Sequence, residues 1–345
     1  MAPADRCDDR PTWIAQLRGA LSLDGVTTAF RDPRAAAWFR RRTLGPSPLG
    51  IEELARSKSS QDLATTVVLP ALDEAGTIGG ICGSIRSSLM DRTGIVDRLV
   101  VMDSGSSDGT PDIARASGAE VFSVDDIAVA DVDPIAAGGK GAALWKSLVV
   151  TDSDLVVWID SDIKNFDLHF VLDLLAPLLV EPELVFVKAF YDRPIARGSG
   201  ELEEGGARVT ELVARPLLNL FEPKLAGFKQ PLSGECAGRR EALISVPFFT
   251  GYGVDIGLLL DVVERFGLES VAQVDLGVRV HHNQDIAGLA RMAHQVLQTM
   301  LARFESQGRV KLAEEPSNTL VQFLPHPTAT DLTVAELPSI RSAMR

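Results

Sequence analysis

Between residues 65 and 190, short runs of Val, Ile and Leu alternate about five times with stretches of helical spacing, and this rhythm restricts the chain more than any other feature. Strand and helix in alternation predict a doubly wound, mainly parallel α/β sheet. The sharpest run is Leu155-Val-Val-Trp-Ile159, set between Asp154 and the triplet Asp160-Ser161-Asp162. Five apolar residues with no polar break suit a strand buried on both faces. Ligands of open α/β sheets gather at the carboxyl ends of strands, where carboxylate oxygens can hold a divalent cation that bridges two phosphates. An Asp-x-Asp triplet also closes ordinary Asx turns, so its meaning depends on its neighbours.

The other expected strands end in the same manner. Thr65 to Leu69 runs into Pro70-Ala71-Leu72-Asp73-Glu74, and Asp97 to Met102 runs into Asp103-Ser104-Gly105-Ser106-Ser107-Asp108-Gly109-Thr110. Helix capping would account for some of these acids and hydroxyls, but their repeated place after a strand favours a ligand edge. A third strand, Ala119 to Ser123, precedes an acidic stretch and then Gly138-Gly139-Lys140-Gly141, which opens a helix. Glycines at a helix start beside a lysine suit a diphosphate, although full P-loop spacing is missing. A fifth strand is expected over Glu183 to Tyr191. Pro-Ala-Leu-Asp-Glu after the first strand, in place of G-x-G-x-x-G, disfavours a dinucleotide-binding dehydrogenase.

Beyond residue 190 the rhythm changes. A Gly- and Glu-rich loop, 198 to 206, precedes a helix from Ala207 to Arg215 whose first turn holds Arg208 and Thr210, a place that favours a phosphate or carboxylate. A capped amphipathic helix with Arg208 in an ion pair is the plainer alternative. Gln230 to Glu235 reads as a tight turn, Phe248 to Gly253 as an aromatic turn, and Val271 to Val280 as a strand that stops at His281-His282-Asn283. Beside an acid pair, a strand-end imidazole becomes a candidate ligand for Mn²⁺ and similar ions; away from one it is a surface histidine. Ile286 to Phe304 has the spacing of a core helix. Four parts are expected: a helical N-terminal arm (1–60), a nucleotide-sugar-binding α/β part (61–190), a mixed acceptor-binding part (191–306) and a loosely docked polar tail (307–345). In the arm, Trp13 to Leu23 is amphipathic, and Arg40-Arg41-Arg42 suits a solvated helix face, with phosphate or membrane contact as the alternative.

A net charge of −13 and the lack of a Lys/Arg cluster disfavour nucleic acid as a partner. Cys7, Cys82 and Cys236 lie far apart without metal-ligand spacing, which suits a reduced cytoplasm. The N-terminus is acidic where a signal peptide is basic, and no segment approaches the ~18 apolar residues of a membrane span. A soluble cytoplasmic protein without a membrane partner is expected.

Taken together, Val67 to Glu74, Val101 to Ser106, Gly139-Lys-Gly141 with Ala143 to Ser147, Ile159 to Asp162, Arg208 to Leu218, Gln230 to Glu235, Gly251-Tyr-Gly-Val254 and Leu276 to His281 resemble the actinobacterial retaining glucosyl- and mannosyl-3-phosphoglycerate synthases over residues 62 to 305. The resemblance implies a GT-A glycosyltransferase fold, a nucleotide-sugar donor, Mg²⁺ or Mn²⁺ as cofactor, and transfer of a hexose to the 2-hydroxyl of 3-phosphoglycerate with its configuration kept. It places Pro70, Ala71, Leu72, Glu74 and Ser104 on the nucleoside, Lys140 by the donor phosphates, and Asp160, Ser161 and Asp162 at sugar and metal. Asp162 and His281 are the implied metal ligands, and Arg208, Val209, Thr210 and Asn283 the acceptor clamp. Leu232 and Gly234 would border the sugar. Asp255 stands where many relatives carry a glutamate that touches the hexose, which with Lys140, Asp160 and Asp162 completes the expected catalytic set. That shorter acid, and Glu-Gly-Gly-Ala ahead of Arg208 where relatives carry only glycine, tilt the expected donor to GDP-mannose ahead of UDP- or GDP-glucose. A homodimer is compatible with such a family. The alternatives are another GT-A enzyme, such as an inverting transferase to a lipid phosphate, and a nucleotide-sugar-binding protein without turnover.

Overall fold

The computed structural model describes residues 29–130, 132, 138–192, 207–280, 285–323 and 326–344, with the backbone of 195–196 and 202–203. Trp13 to Leu23, most of the 198–206 loop, and His281, His282 and Asn283 lie outside the described residues.

Eight strands build the main sheet: β1 (Thr43–Leu44), β2 (Thr65–Ala71), β3 (Arg98–Asp103), β4 (Glu120–Ser123), β5 (Leu155–Trp158), β6 (Phe186–Asp192), β7 (Cys236–Arg239) and β8 (Val271–Val278), in the order β1-β8-β6-β7-β5-β2-β3-β4. All neighbours are parallel except β7, which runs against both β5 and β6. Seven strands therefore end on one edge. The reversed strand begins there instead, so the residues just before Cys236 reach the same place.

Both faces of the sheet are dry. Val68, Val100, Met102, Val156 and Trp158 pack with Leu144, Trp145 and Leu148 of one helix, Gly139–Val150, while Val67, Leu69, Val101, Leu155 and Val157 pack with Ile78, Ile81, Leu174 and Leu175 on the other side. Successive strand residues point to opposite faces, so a strand covered on both sides reads as an unbroken apolar run. Full burial of each such side chain contributes roughly 1.5–3 kcal/mol.

Residues 29–60 form more than helical packing. The helix Pro33–Arg42, capped by Asp32, buries Trp38 completely, and the indole Nε1 donates to Val271 O at 2.8 Å. Arg42 is buried against Glu181 and Arg41 pairs with Glu269, so this part of the basic triplet is ion-paired to the body of the fold and is not a free solvated face. Thr43–Leu44 then adds an edge strand beside β8. Two residues cannot show a period, so no sequence pattern announces this strand.

The segment after residue 307, expected as a loosely docked polar tail, is mostly exposed and docks near its end. Glu336–Leu337 pairs with Phe248–Phe249, Leu337 and Ile340 are buried, and Trp145 Nε1 donates to Pro338 O at 2.7 Å. Two isolated apolar residues dock this segment without any periodic signal. The 191–306 segment is likewise interleaved with the sheet, because it supplies β7 and β8.

Candidate active site

The cleft lies on the edge where the parallel strands end and has a volume of about 520 Å³. β2 leaves the sheet at Pro70 and Ala71, then turns at Asp73, whose φ of 57° is left-handed. Asp73 accepts from Ser107 N at 2.7 Å and its own N–H donates to Ser106 Oγ at 2.9 Å, which ties the loops after β2 and β3 together. The Asp103 carboxylate accepts from Gly105 N and Ser106 N and shapes the second loop. Pro70, Ala71, Leu72, Glu74 and Ser104 line the resulting cradle. Burial, then the nearby Asp162, raises the Glu74 pKa above the usual carboxylate range.

After β5, Ser161 is the residue held back: its Oγ donates to Pro70 O at 2.7 Å and its carbonyl accepts from Thr77 Oγ1 at 2.5 Å. Asp160 and Asp162 line the cleft on either side of it. Lys140, in the first turn of the Gly139–Val150 helix, places Nζ 2.8 Å from Asp160 Oδ1 and 3.5 Å from Asp255 Oδ2. Burial opposes charge on Lys140, but Asp160 and Asp255 outweigh it and raise its pKa, so the ammonium persists. Asp255 is itself pushed up by burial against the pull of Lys140. Gly234 lies so near this pair that a Cβ there would be 2.3 Å from Asp160 Oδ2 and 2.4 Å from Lys140 Nζ, so any side chain at this position would displace the ends of both.

The sequence reading missed the centre of the network. Arg279 Nη2 donates to Asp160 Oδ2 at 3.0 Å and to Asp162 Oδ1 at 2.7 Å. Its Nε sits 2.8 Å from Glu235 Oε1, an ion pair too bent for a hydrogen bond, and the guanidinium lies 5.5 Å from the Tyr191 ring centroid. Tyr191 Oη donates to the other oxygen of Glu235, which is fully buried. Lys188, also buried, donates to Ser233 O at 2.8 Å and Asp255 O at 3.2 Å. Four carboxylates, Asp160, Asp162, Glu235 and Asp255, thus stand beside three cations, Lys140, Lys188 and Arg279. No local signal in the sequence marks Arg279, whose carboxylate partners are distant in the chain.

Across the cleft, Ala207 has a left-handed φ of 61° and leads into Arg208, Val209 and Thr210, all of which line the cavity. The π-helical segment Thr210–Ala214 packs on the long helix Ile286–Ser306, which adds Leu289, Met292, Gln295 and Val296 to the wall. Leu232, Gly234 and Asp255 complete the set, so every expected site residue among those described reaches one cleft. His281 and Asn283 lie outside the described residues.

No group of three His, Cys, Asp or Glu suited to a metal occurs among the described residues. Asp162 offers a hard oxygen at the mouth of the cleft, with its side chain 28% exposed. Lys164 N donates to Val280 O at 3.0 Å and Val280 N to Asn165 Oδ1 at 2.8 Å, so Val280 is tied to the turn that follows Asp162. As a hard and partly exposed oxygen donor, Asp162 has the chemistry of one ligand to a divalent cation.

Glycosyl transferase family 2 matches residues 66–242. The glucosyl-3-phosphoglycerate synthase of Petrotoga mobilis is 47% identical over 265 residues, 77% of this chain and 81% of that protein. The crystal structure of mannosyl-3-phosphoglycerate synthase from Rubrobacter xylanophilus superposes with a TM-score of 0.80 at 38% identity, over 90% of this chain and 98% of that one. The structure of glucosyl-3-phosphoglycerate synthase from Mycobacterium tuberculosis in complex with Mn²⁺, UDP-glucose and phosphoglyceric acid gives 0.74 at 42% identity, over 86% of this chain and 96% of that one. No described helix here is long and apolar enough to cross a membrane. With a GT-A-like α/β fold, this chain belongs to glycosyl transferase family 2 and, within it, to the glucosyl- and mannosyl-3-phosphoglycerate synthases.

Proposed function

We propose that the chain transfers a glucosyl group from a nucleoside diphosphate sugar to the 2-hydroxyl of 3-phosphoglycerate, with retention, using Mg²⁺ or Mn²⁺ held by Asp162 and His281. The observation that carries this reading is the convergence, in one cleft, of the residues expected at the donor, Pro70 to Glu74 and Ser104, with those expected at the acceptor, Arg208 to Thr210. Glucose stands ahead of the mannose expected at first, because the Petrotoga relative is a glucosyl enzyme at 47% identity. Mannosyl transfer is the second reading, favoured by the TM-score of 0.80 to the Rubrobacter mannosyl enzyme and by the shorter acid at 255.

Breakage of the anomeric C–O bond leaves negative charge on the departing diphosphate. When bound, the metal supplies a counter-charge to that diphosphate. Lys140, held protonated by Asp160 and Asp255, provides a second fixed positive charge at the same edge. Asp160 and Asp255 are in turn oriented by Lys140 to accept hexose hydroxyls, and Arg208 with Thr210 holds the anionic acceptor. Asp160, Asp162 and Asp255 are each engaged by Lys140 or Arg279, which argues against a carboxylate nucleophile. The acceptor hydroxyl accordingly attacks from the leaving-group side and gives its proton to a phosphate oxygen of the departing nucleotide.

The test is incubation of the purified protein and Mg²⁺ or Mn²⁺ with 3-phosphoglycerate and, separately, UDP-glucose, GDP-glucose and GDP-mannose. A hexosyl-phosphoglycerate with retained anomeric configuration, lost on metal chelation, is the expected product. Failure with all three donors rejects the activity, and turnover confined to GDP-mannose selects the second reading.

A further inference from the structure

Lys188 is the one charged residue in the run Phe186-Val-Lys-Ala-Phe-Tyr191 of β6. Alternation along the strand puts it on the face of Phe186, which packs in one cluster with Val254 and Ile256 of the helix Val254–Phe266, and there Lys188 is 1% exposed. An amino group in such a place costs free energy unless it is hydrogen-bonded, and an apolar side chain would fill the same space without that cost. Packing alone therefore does not account for a lysine at this position.

Its Nζ reaches two main-chain carbonyls that are distant from it in the chain, Ser233 O at 2.8 Å and Asp255 O at 3.2 Å. Ser233 closes the turn ahead of β7, its N–H donating to Gln230 O at 3.1 Å, and the residues on either side of it, Leu232 and Gly234, line the cleft. Asp255 lines the cleft too, and its Oδ2 lies 3.5 Å from Lys140 Nζ. Gly234 already stands against Asp160 and Lys140, so the turn has little room to shift towards them. One buried amino group thus ties this turn to the start of a helix, and both present groups to the same cavity.

We propose that Lys188 is a positioning residue for the hexose: it holds the turn that carries Leu232 and Gly234 in register with Asp255, so that the three border one sugar ring. The assignment rests on the reading of the cleft as a site of hexosyl transfer. Lys188 acts through the main chain and does not touch substrate.

Lys188→Met keeps the length of the side chain and removes both donated bonds. In the full-length enzyme with Mn²⁺, kcat and KM are measured for 3-phosphoglycerate and for whichever of UDP-glucose, GDP-glucose and GDP-mannose the wild type turns over fastest. Thermal unfolding and calorimetric binding of the matching nucleoside diphosphate, which has no hexose, are measured beside them. The expected result is a kcat/KM for the sugar nucleotide lowered about tenfold or more, with the Kd of the nucleoside diphosphate and the KM for 3-phosphoglycerate within about twofold of wild type. A lower melting temperature with an unchanged kcat/KM marks a purely structural lysine and overturns the proposal, as does an equal loss of nucleoside diphosphate binding. If Lys188→Met does not fold, Lys188→Gln, which keeps a shorter donor, is read by the same criteria, and failure of both to fold overturns the proposal. Wild-type protein that turns over none of the three donors overturns the functional reading and this assignment with it, whereas wild-type turnover beside an unaffected Lys188→Met variant overturns this assignment alone.

Discussion

At the exit of β5, Asp160, Asp162, Lys140, Arg279, Glu235 and Tyr191 hold one another through ion pairs and hydrogen bonds, and Arg279 and Glu235 are buried. On the opposite wall, Arg208 and Thr210 follow a strained Ala207, Tyr252 is 37% exposed, and much of the surface is the apolar side of one helix. The edge proposed to bind the donor is therefore oriented before any ligand arrives, and its dipoles would need little rearrangement as charge develops on a leaving diphosphate. The acceptor wall carries fewer buried charges, so its recognition depends on what a small anion brings to it. Changes on the first side should affect the fold and chemistry together; changes on the second should affect one substrate's affinity.

That contrast can be broken in four ways. Asp162→Ala should give the largest effect, a loss of activity on the order of 10²–10³-fold together with loss of metal-dependent donor binding. Mn²⁺ titration and steady-state rates read both, and near-normal turnover would remove Asp162 from the metal site. Next comes Glu235→Gln, which deprives a buried guanidinium of one counter-charge and should lower stability by about 3 kcal/mol, near the low end for such pairs because Asp160 and Asp162 remain. Urea unfolding measures this, and an unchanged midpoint would show that Glu235 is dispensable to the donor edge.

On the acceptor wall, Arg208→Ala should raise acceptor KM by roughly tenfold or more through a lost charge-assisted bond of about 1.5–3 kcal/mol, with donor KM and melting temperature nearly unchanged. Equal effects on both substrates, or a large fall in stability, would erase the distinction between the walls. The smallest effect is expected from Ala207→Gly. It relieves a left-handed residue, a strain of about 1–2 kcal/mol, but part of this is offset by the added freedom of the unfolded chain, so the net gain in stability should be about 1 kcal/mol or less by thermal unfolding. A clear loss would show that the turn depends on the alanine side chain.

The parallel core was legible because each strand is buried on both faces and stops on polar residues, as Leu155 to Asp162 shows. Lys140, Arg208 and Thr210 could be singled out from glycines and a helix start close to them in sequence, whereas Asp255 was reached only through the family resemblance. Arg279 could not, since its carboxylate partners lie 117 and 119 residues away and nothing local distinguishes it from a strand-end arginine. Glu235 reads as a turn acid until its burial is known. Edge strand Thr43–Leu44 and the docked Glu336–Leu337 were hidden for another reason: two residues carry no period, and their place is set by partners elsewhere in the chain.

The reversed direction of β7 has a consequence for how such a pocket can be retuned. Each parallel strand must first cross the sheet before its following loop meets ligand, whereas β7 meets ligand before it enters the sheet. Leu232, which lines the cleft just ahead of β7, can therefore be altered, while the turn at Arg240, where β7 ends, stays on the far rim next to Asp154. The cleft wall and the far rim are thus reached from the two tips of a single four-residue strand.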